Sequence, residues 1–112
     1  MHLIGKEFFA YALTPQNDTI RLIHIPKWNF RWQYFYTFKN PVKIPAGSTI
    51  VVEGTFDNTA DNPNNPYDPP RVIIDRANPM ESMRTTDEML QLIITWMLYE
   101  KGDEEIKLDK NE

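Results

Sequence analysis

Large aromatic side chains recur at every second position between residues 28 and 36, and this alternation constrains the fold more than any other feature of the sequence. The rings belong to Trp28, Phe30, Trp32, Tyr34 and Tyr36. Because successive side chains of a strand point to opposite faces, the pattern predicts a strand over residues 28–37 with these rings on one face. Such a face is typical of the core between two sheets. The alternative is an exposed row of rings that binds carbohydrate or a partner protein.

Four further segments have the composition of short strands, and turn-forming residues separate them. They cover residues 7–14, 19–25, 48–56 and 71–76. The residues between the first two segments, Pro15 to Asp18, predict a tight turn and therefore a hairpin. Several short strands with turn signals between them predict an all-β chain, folded as an antiparallel sandwich or barrel.

The segment from residue 57 to residue 70 is predicted to be a loop, because most of its residues are Asp, Asn or Pro. Proline removes backbone donors, and Asx side chains bond locally instead of building a ladder. Asp57, Asp61 and Asp68 offer oxygen ligands, but their spacing does not match an EF-hand loop, which also needs a glycine at its sharp turn. An ordered surface loop without metal is therefore expected.

The apolar run after residue 85 permits two interpretations. Thr85 and Glu88 fit a helix capping box, and apolar residues between Leu90 and Leu98 fall at helical spacing. The same run is continuous and includes β-favouring residues, as in a strand that is buried on both faces. The pattern alone leaves helix and strand open. The charged tail, residues 101–112, is expected to fray into solvent.

Composition excludes several classes of protein. The chain has 112 residues, 41% of them hydrophobic, and a net charge of -4, so it can form a core but has no basic patch for nucleic acid. No apolar run is long enough to span a membrane. The first residues lack the apolar stretch and the cleavage site of a signal peptide. Cysteine is absent, so disulfides and thiol chemistry are excluded.

Few side chains offer chemistry. The sequence contains no nucleophile elbow, phosphate loop or dinucleotide fingerprint. The only histidines are His2 and His24, too few for a zinc site with three or four soft ligands. His24 lies in the middle of a predicted strand and is expected to be structural. His2 and Met89 would form a soft imidazole–thioether pair that favours copper, especially Cu(I), but their distance in sequence gives no reason to pair them.

Four segments together resemble a known family. They read MHLIGKEFFAYAL, LIHIPKWNFRWQYFY, FDNTADNPNNP and TTDEMLQLIITWMLYE. Over about residues 1–100 the chain resembles the C-terminal domain of copper type II, ascorbate-dependent monooxygenases. This family includes peptidylglycine α-hydroxylating monooxygenase and dopamine β-monooxygenase, and the chain resembles its bacterial relatives. The resemblance implies a jelly-roll-like β-sandwich in which the segment after Met89 is a strand.

The resemblance also implies a copper site. In that family a His-x-His pair and a methionine in an Asp-Glu-Met motif hold the catalytic copper. His2 corresponds to the second histidine of the pair and Met89 to the methionine, and the first histidine would lie just before Met1. Asp87 and Glu88 would either support these ligands or be solvated turn acids.

A larger parent protein follows from the same resemblance. It would be exported, to the periplasm or outside the cell, and would hydroxylate a C–H bond with O2, copper and an external reductant. An upstream domain would hold a second copper. We therefore expect an N-terminally truncated, incomplete sandwich that does not catalyse alone. Gln91 and Ile93 stand where peptide-processing members carry a polar residue and a tyrosine that hold the substrate, so peptide amidation is not expected.

Overall fold

The computed structural model describes residues 1–33, 35–74, 84–87 and 89–108. These residues contain a three-stranded antiparallel sheet with the strand order β2-β1-β3. The strands are β1 (Gly5–Leu13), β2 (Thr19–Ile25) and β3 (Thr49–Phe56), and a short 3-10 helix covers Asp103–Glu105. This content agrees with the predicted all-β class, and the three strands lie within a few residues of their predicted positions.

The central strand β1 separates a buried face from a more open one. Phe8, Ala10 and Ala12 are buried on one side, whereas Phe9 and Tyr11 lie on the other side and are partly exposed. This alternation follows from the two-residue period of a strand. The buried face of β1 packs with apolar residues from the N-terminus, from β2 and β3, and from later segments: Met1, Leu22, Ile23, Ile25, Trp28, Val52, Phe56 and Leu92.

The predicted turn between β1 and β2 is confirmed. The Thr14 amide donates to the Asp18 carbonyl at 2.8 Å and the Asn17 amide donates to the Thr14 carbonyl at 2.9 Å. The Asp18 amide donates to the Thr14 hydroxyl at 3.0 Å. Asn17 has a φ of 64°, in the left-handed region, which asparagine tolerates better than most residues.

The strand predicted over residues 28–37 is wrong for the described residues of that range, none of which is in a strand. Local bonding ends the extended conformation at Asn29: its side chain accepts the Arg31 amide at 3.0 Å, and its carbonyl accepts the Trp32 amide at 2.9 Å. This Asx turn competes with a ladder. Trp32 is 67% exposed and Tyr36 65% exposed, so the expected row of buried rings does not form. Tyr34 lies outside the described residues.

Two further strand predictions also fail for the residues that the structure describes. Residues 71–74 form no strand. Instead, the Ile73 amide donates to the Asn58 carbonyl at 2.9 Å, and the Asn58 side chain donates to the Ile73 carbonyl at 2.9 Å.

Residues 89–100 adopt neither helix nor strand, and Ile93, Trp96 and Leu98 are exposed. A strand needs a partner edge, and no described segment pairs with this run. Residues 75, 76 and Glu88 lie outside the description.

The prediction that the tail frays into solvent is wrong for residues 101–108, because hydrogen bonds attach this segment to Lys39 and Asn40. The Leu108 amide donates to the Lys39 carbonyl at 2.9 Å, and the Asn40 side chain donates to the Ile106 carbonyl at 2.9 Å. A second sheet, as a sandwich requires, is not seen in the described part of the chain. Within that same part, no helix has the length and apolar character needed to cross a bilayer.

The hairpin turn yields a matched pair of variants. We expect Asn17→Ala to lower the free energy of unfolding by about 1–2 kcal/mol, because alanine pays the full cost of the left-handed backbone. We expect Asn17→Gly to change it by less than about 0.5 kcal/mol, because glycine adopts a positive φ without a steric penalty. Urea unfolding at equilibrium measures both. Equal losses in the two variants would contradict the assigned backbone conformation.

Candidate functional site

The first residues of the chain form a tight turn that is fixed to the start of β1. The Gly5 amide donates to the His2 carbonyl at 3.2 Å, and the Trp28 indole Nε1 donates to the same carbonyl at 3.2 Å. Met1 and Ile4, on either side of His2, are buried. A Cβ on Gly5 would lie 2.9 Å from Trp28 Cδ1, so only glycine allows this close approach. The backbone of His2 is therefore held in place from several sides.

The imidazole of His2 faces the turn that precedes Met89. Its Nδ1 lies 3.2 Å from the backbone carbonyl oxygen of Asp87. The ring also meets the ring of Phe30 edge-on, with centroids 5.9 Å apart. A carbonyl oxygen only accepts hydrogen bonds, so Nδ1 carries the proton in this contact and Nε2 of the neutral ring carries the lone pair. No hydrogen-bond partner of His2 Nε2 is found among the described residues.

The carbonyl that faces His2 belongs to a capped turn over residues 84–87. The Asp87 amide donates to the Arg84 carbonyl at 3.0 Å, and the Arg84 amide donates to the Asp87 carboxylate at 3.2 Å. Asp87 is only 6% exposed, which rules out its reading as a solvated turn acid. Its side chain closes the turn from within. Glu88, for which the same two interpretations were open, lies outside the described residues.

The contact between His2 and Asp87 limits how far away Met89 can lie. With a 3.2 Å contact at Asp87, backbone geometry keeps the Met89 Cα within roughly 11 Å of the His2 ring. A methionine side chain and two metal–ligand bonds together span most of such a distance. The next residue, Leu90, also lies over the sheet, since its Cδ1 is 2.8 Å from the place where a Cβ on Gly54 would be.

His2 and Met89 are two donors of soft character in this neighbourhood. Metal-bound histidines commonly donate their second ring N–H to a backbone carbonyl, which is the arrangement of His2. Thioether and imidazole are ligands that copper accepts. In the described residues no group of three His, Cys, Asp or Glu side chains could hold a metal ion. The chain thus offers His2 Nε2 and the sulfur of Met89, but no third ligand of those types among the residues described.

The loop over residues 57–70 is ordered by its own side chains, as predicted. Asn62 is 3% exposed, donates to the Asp57 carbonyl at 2.8 Å and accepts the Asn64 amide at 2.9 Å. Lys6 on β1 donates to Asn62 at 3.3 Å, and the Asp57 amide donates to the Ile4 carbonyl at 2.9 Å. The loop is therefore bound to the same N-terminal turn that carries His2.

Tyr67 connects this loop to the turn over residues 84–87. Hydrogen bonds to Arg71 and Thr86, in that order of effect, lower the pKa of the Tyr67 hydroxyl from its ordinary value. The Arg71 guanidinium also lies over the Tyr67 ring, 3.8 Å from its centroid. Sequence patterns give no signal for these contacts of Tyr67.

The second histidine has a separate environment on the open face of the sheet. His24 Nε2 lies 2.7 Å from a Glu7 carboxylate oxygen. Its ring packs against Phe9, with centroids 5.1 Å apart. The prediction that His24 has a bonded, structural position in its strand is confirmed.

Comparisons with known proteins identify no relative. No protein-family model, no curated protein and no solved structure matches this chain.

Asp57 gives the loop a measurable pH dependence. Its carboxylate accepts hydrogen bonds from the Thr59 hydroxyl at 2.7 Å and the Thr59 amide at 3.1 Å, which lower the pKa of Asp57. A lowered pKa in the folded state contributes stability above the ordinary aspartate value of about 3.9, and this contribution disappears as the pH falls below that value. We therefore expect wild-type protein to lose more stability than Asp57→Asn on acidification.

Urea unfolding of the two proteins between about pH 7 and pH 3 measures that difference, across the range in which aspartate titrates. Asp61→Asn in the same loop is the control, because no described residue hydrogen-bonds to the Asp61 carboxylate. Parallel pH profiles for wild-type protein and Asp57→Asn would contradict the assigned role of Asp57.

Proposed function

We propose that this chain is the copper-binding part of a copper-dependent monooxygenase, with His2 and Met89 as copper ligands. The observation that carries the proposal is the contact of His2 Nδ1 with the Asp87 carbonyl, 3.2 Å away and two residues before Met89. It supports the proposal because a neutral ring with the proton on Nδ1 has its lone pair on Nε2, and because Asp87 lies two residues before the thioether of Met89. The resemblance in sequence supplies the class of enzyme and the identity of the metal.

The chain's own groups would bind and orient the metal. The His2 Nε2 lone pair and the Met89 sulfur are its donors, and the thioether favours the Cu(I) state. Copper, when bound, supplies the activation of O2 for hydroxylation of a C–H bond. The Asp87 carbonyl holds the proton on Nδ1, and the edge of the Phe30 ring restricts rotation of the imidazole. The parent protein would further use an external reductant and an upstream domain with a second copper.

The same proposal includes the finer fold and the cellular location. We assign the three-stranded sheet to one layer of a jelly-roll-like β-sandwich. The exposed apolar side chains of Ile93, Trp96 and Leu98 support this, because a second layer would cover exposed apolar groups. For the parent protein we propose export to the periplasm or the extracellular space.

Titration with Cu(I) tests the copper site. In competition with a chromophoric chelator, we expect His2→Ala and Met89→Ala each to weaken Cu(I) binding by more than about tenfold, since even changes behind the ligands cost that much. His24→Ala and Met97→Ala are matched controls with one imidazole and one thioether removed elsewhere, and their affinity should stay at the wild-type level. Equal Cu(I) affinity in all five proteins would refute the proposed site.

A second candidate function rests on the exposed aromatic residues after Asn29. Trp32 is 67% and Tyr36 is 65% exposed. Large exposed aromatics beside polar groups are typical of binding surfaces, and flat rings of this kind stack on sugars. The chain would then be a non-catalytic module that binds carbohydrate or a partner protein through these residues.

Soluble oligosaccharides of glucose and of N-acetylglucosamine test the second candidate. If it holds, they should change the tryptophan fluorescence of the wild-type protein, and Trp32→Ala and Tyr36→Ala should abolish binding. Trp96→Ala removes another exposed indole and should leave binding unchanged. Wild-type protein that binds neither sugar class in calorimetry would eliminate the carbohydrate version of this function.

A further inference from the structure

The two histidines of the chain are held through opposite ring nitrogens. His2 uses Nδ1, 3.2 Å from the Asp87 carbonyl oxygen. His24 uses Nε2, 2.7 Å from a Glu7 carboxylate oxygen. Both partners are acceptors, so in the neutral rings the proton lies on Nδ1 of His2 and on Nε2 of His24. Neutral histidine in water favours the Nε2–H form, so His24 keeps the ordinary tautomer and His2 has the other one.

The unusual tautomer of His2 depends on where the Asp87 carbonyl points. That carbonyl belongs to the capped turn over residues 84–87, which the Asp87 carboxylate closes by accepting the Arg84 amide at 3.2 Å. Asp87 is buried, so solvent does not compete for this bond. The capped turn thus fixes the position of one backbone oxygen.

We propose that Asp87 is a positioning residue that locks His2 in the Nδ1–H tautomer and so presents Nε2 to a metal before the metal binds. The inference rests on the proposed function for the identity of the metal, but the tautomer itself is a property of the metal-free protein. Because a ring locked in advance loses less rotational freedom on coordination, the locking strengthens binding.

The tautomers of both rings can be read from the metal-free protein by NMR. Long-range proton–nitrogen correlation spectra of 15N-labelled protein, recorded near pH 8 where an ordinary imidazole is neutral, distinguish the protonated nitrogen from the one with the lone pair. We expect the Nδ1–H pattern for His2 and the Nε2–H pattern for His24 in the same spectrum. An Nε2–H pattern for His2 in the wild-type protein would overturn the inference.

Variants of Asp87 assign the cause. Asp87→Ala removes the acceptor that closes the turn, and we expect the Nε2–H form of His2 to become the major one while His24 is unchanged. Asp87→Asn keeps an oxygen acceptor for the Arg84 amide and should restore the Nδ1–H form. If His2 keeps its tautomer in Asp87→Ala, Asp87 has no positioning role.

The proposal stays testable should Asp87→Ala fail to fold. The wild-type spectrum still tests the tautomer, and Asp87→Asn still tests the acceptor for the Arg84 amide. An Nε2–H pattern for His2 in either protein would overturn the inference.

Cu(I) affinities separate this inference from the proposed function. If the tautomer is locked, we expect Asp87→Ala to weaken Cu(I) binding by about 10–100-fold, as changes behind a metal-bound histidine do, and Asp87→Asn to restore it. A locked tautomer in a protein that binds no Cu(I) would refute the copper function and leave the locking intact. Tight Cu(I) binding through His2 with the ordinary tautomer would refute the locking alone.

Discussion

Hydrogen bonds made by the start of β1 hold the other described segments in position. The Lys6 carbonyl accepts a hydrogen bond from the Trp28 amide at 2.8 Å. The Lys6 side chain donates a hydrogen bond to Asn62 of the loop at 3.3 Å. The strand itself pairs with a neighbour along both edges. One short segment therefore fixes the N-terminal turn, the aromatic segment and the Asx-Pro loop relative to each other. His2 owes its position to this convergence of backbone bonds.

The elements that sequence predicts correctly are those fixed by local interactions. The hairpin has alternating strands and a turn whose asparagine tolerates a positive φ, so residues close in sequence determine it. The aromatic run satisfied the same alternation, yet Asn29 offered its neighbours a side-chain acceptor and ended the extended conformation. Residues 89–100 show the other limit. Their apolar pattern suits a strand, but a strand forms only beside an edge that pairs with it.

The candidate site is likewise only partly predictable from the sequence. His2 and Met89 were named from sequence through resemblance, since composition alone gave no reason to pair them. The contact that relates them, from His2 to the Asp87 carbonyl, is made by a backbone atom that carries no sequence signature. Residue types indicate which atoms can coordinate a metal, whereas long-range packing decides which nitrogen of a ring is available.

The bond from the Trp28 indole to the His2 carbonyl joins a fluorophore to the candidate ligand. The same ring packs on Phe8 in the core, with centroids 6.1 Å apart, so its orientation is tied to the sheet. Because of this bond, emission from Trp28 is expected to respond to the charge, spin state and hydration of whatever occupies the neighbourhood of His2. The protein contains an intrinsic optical reporter at the position where its chemistry is proposed, and no label has to be attached.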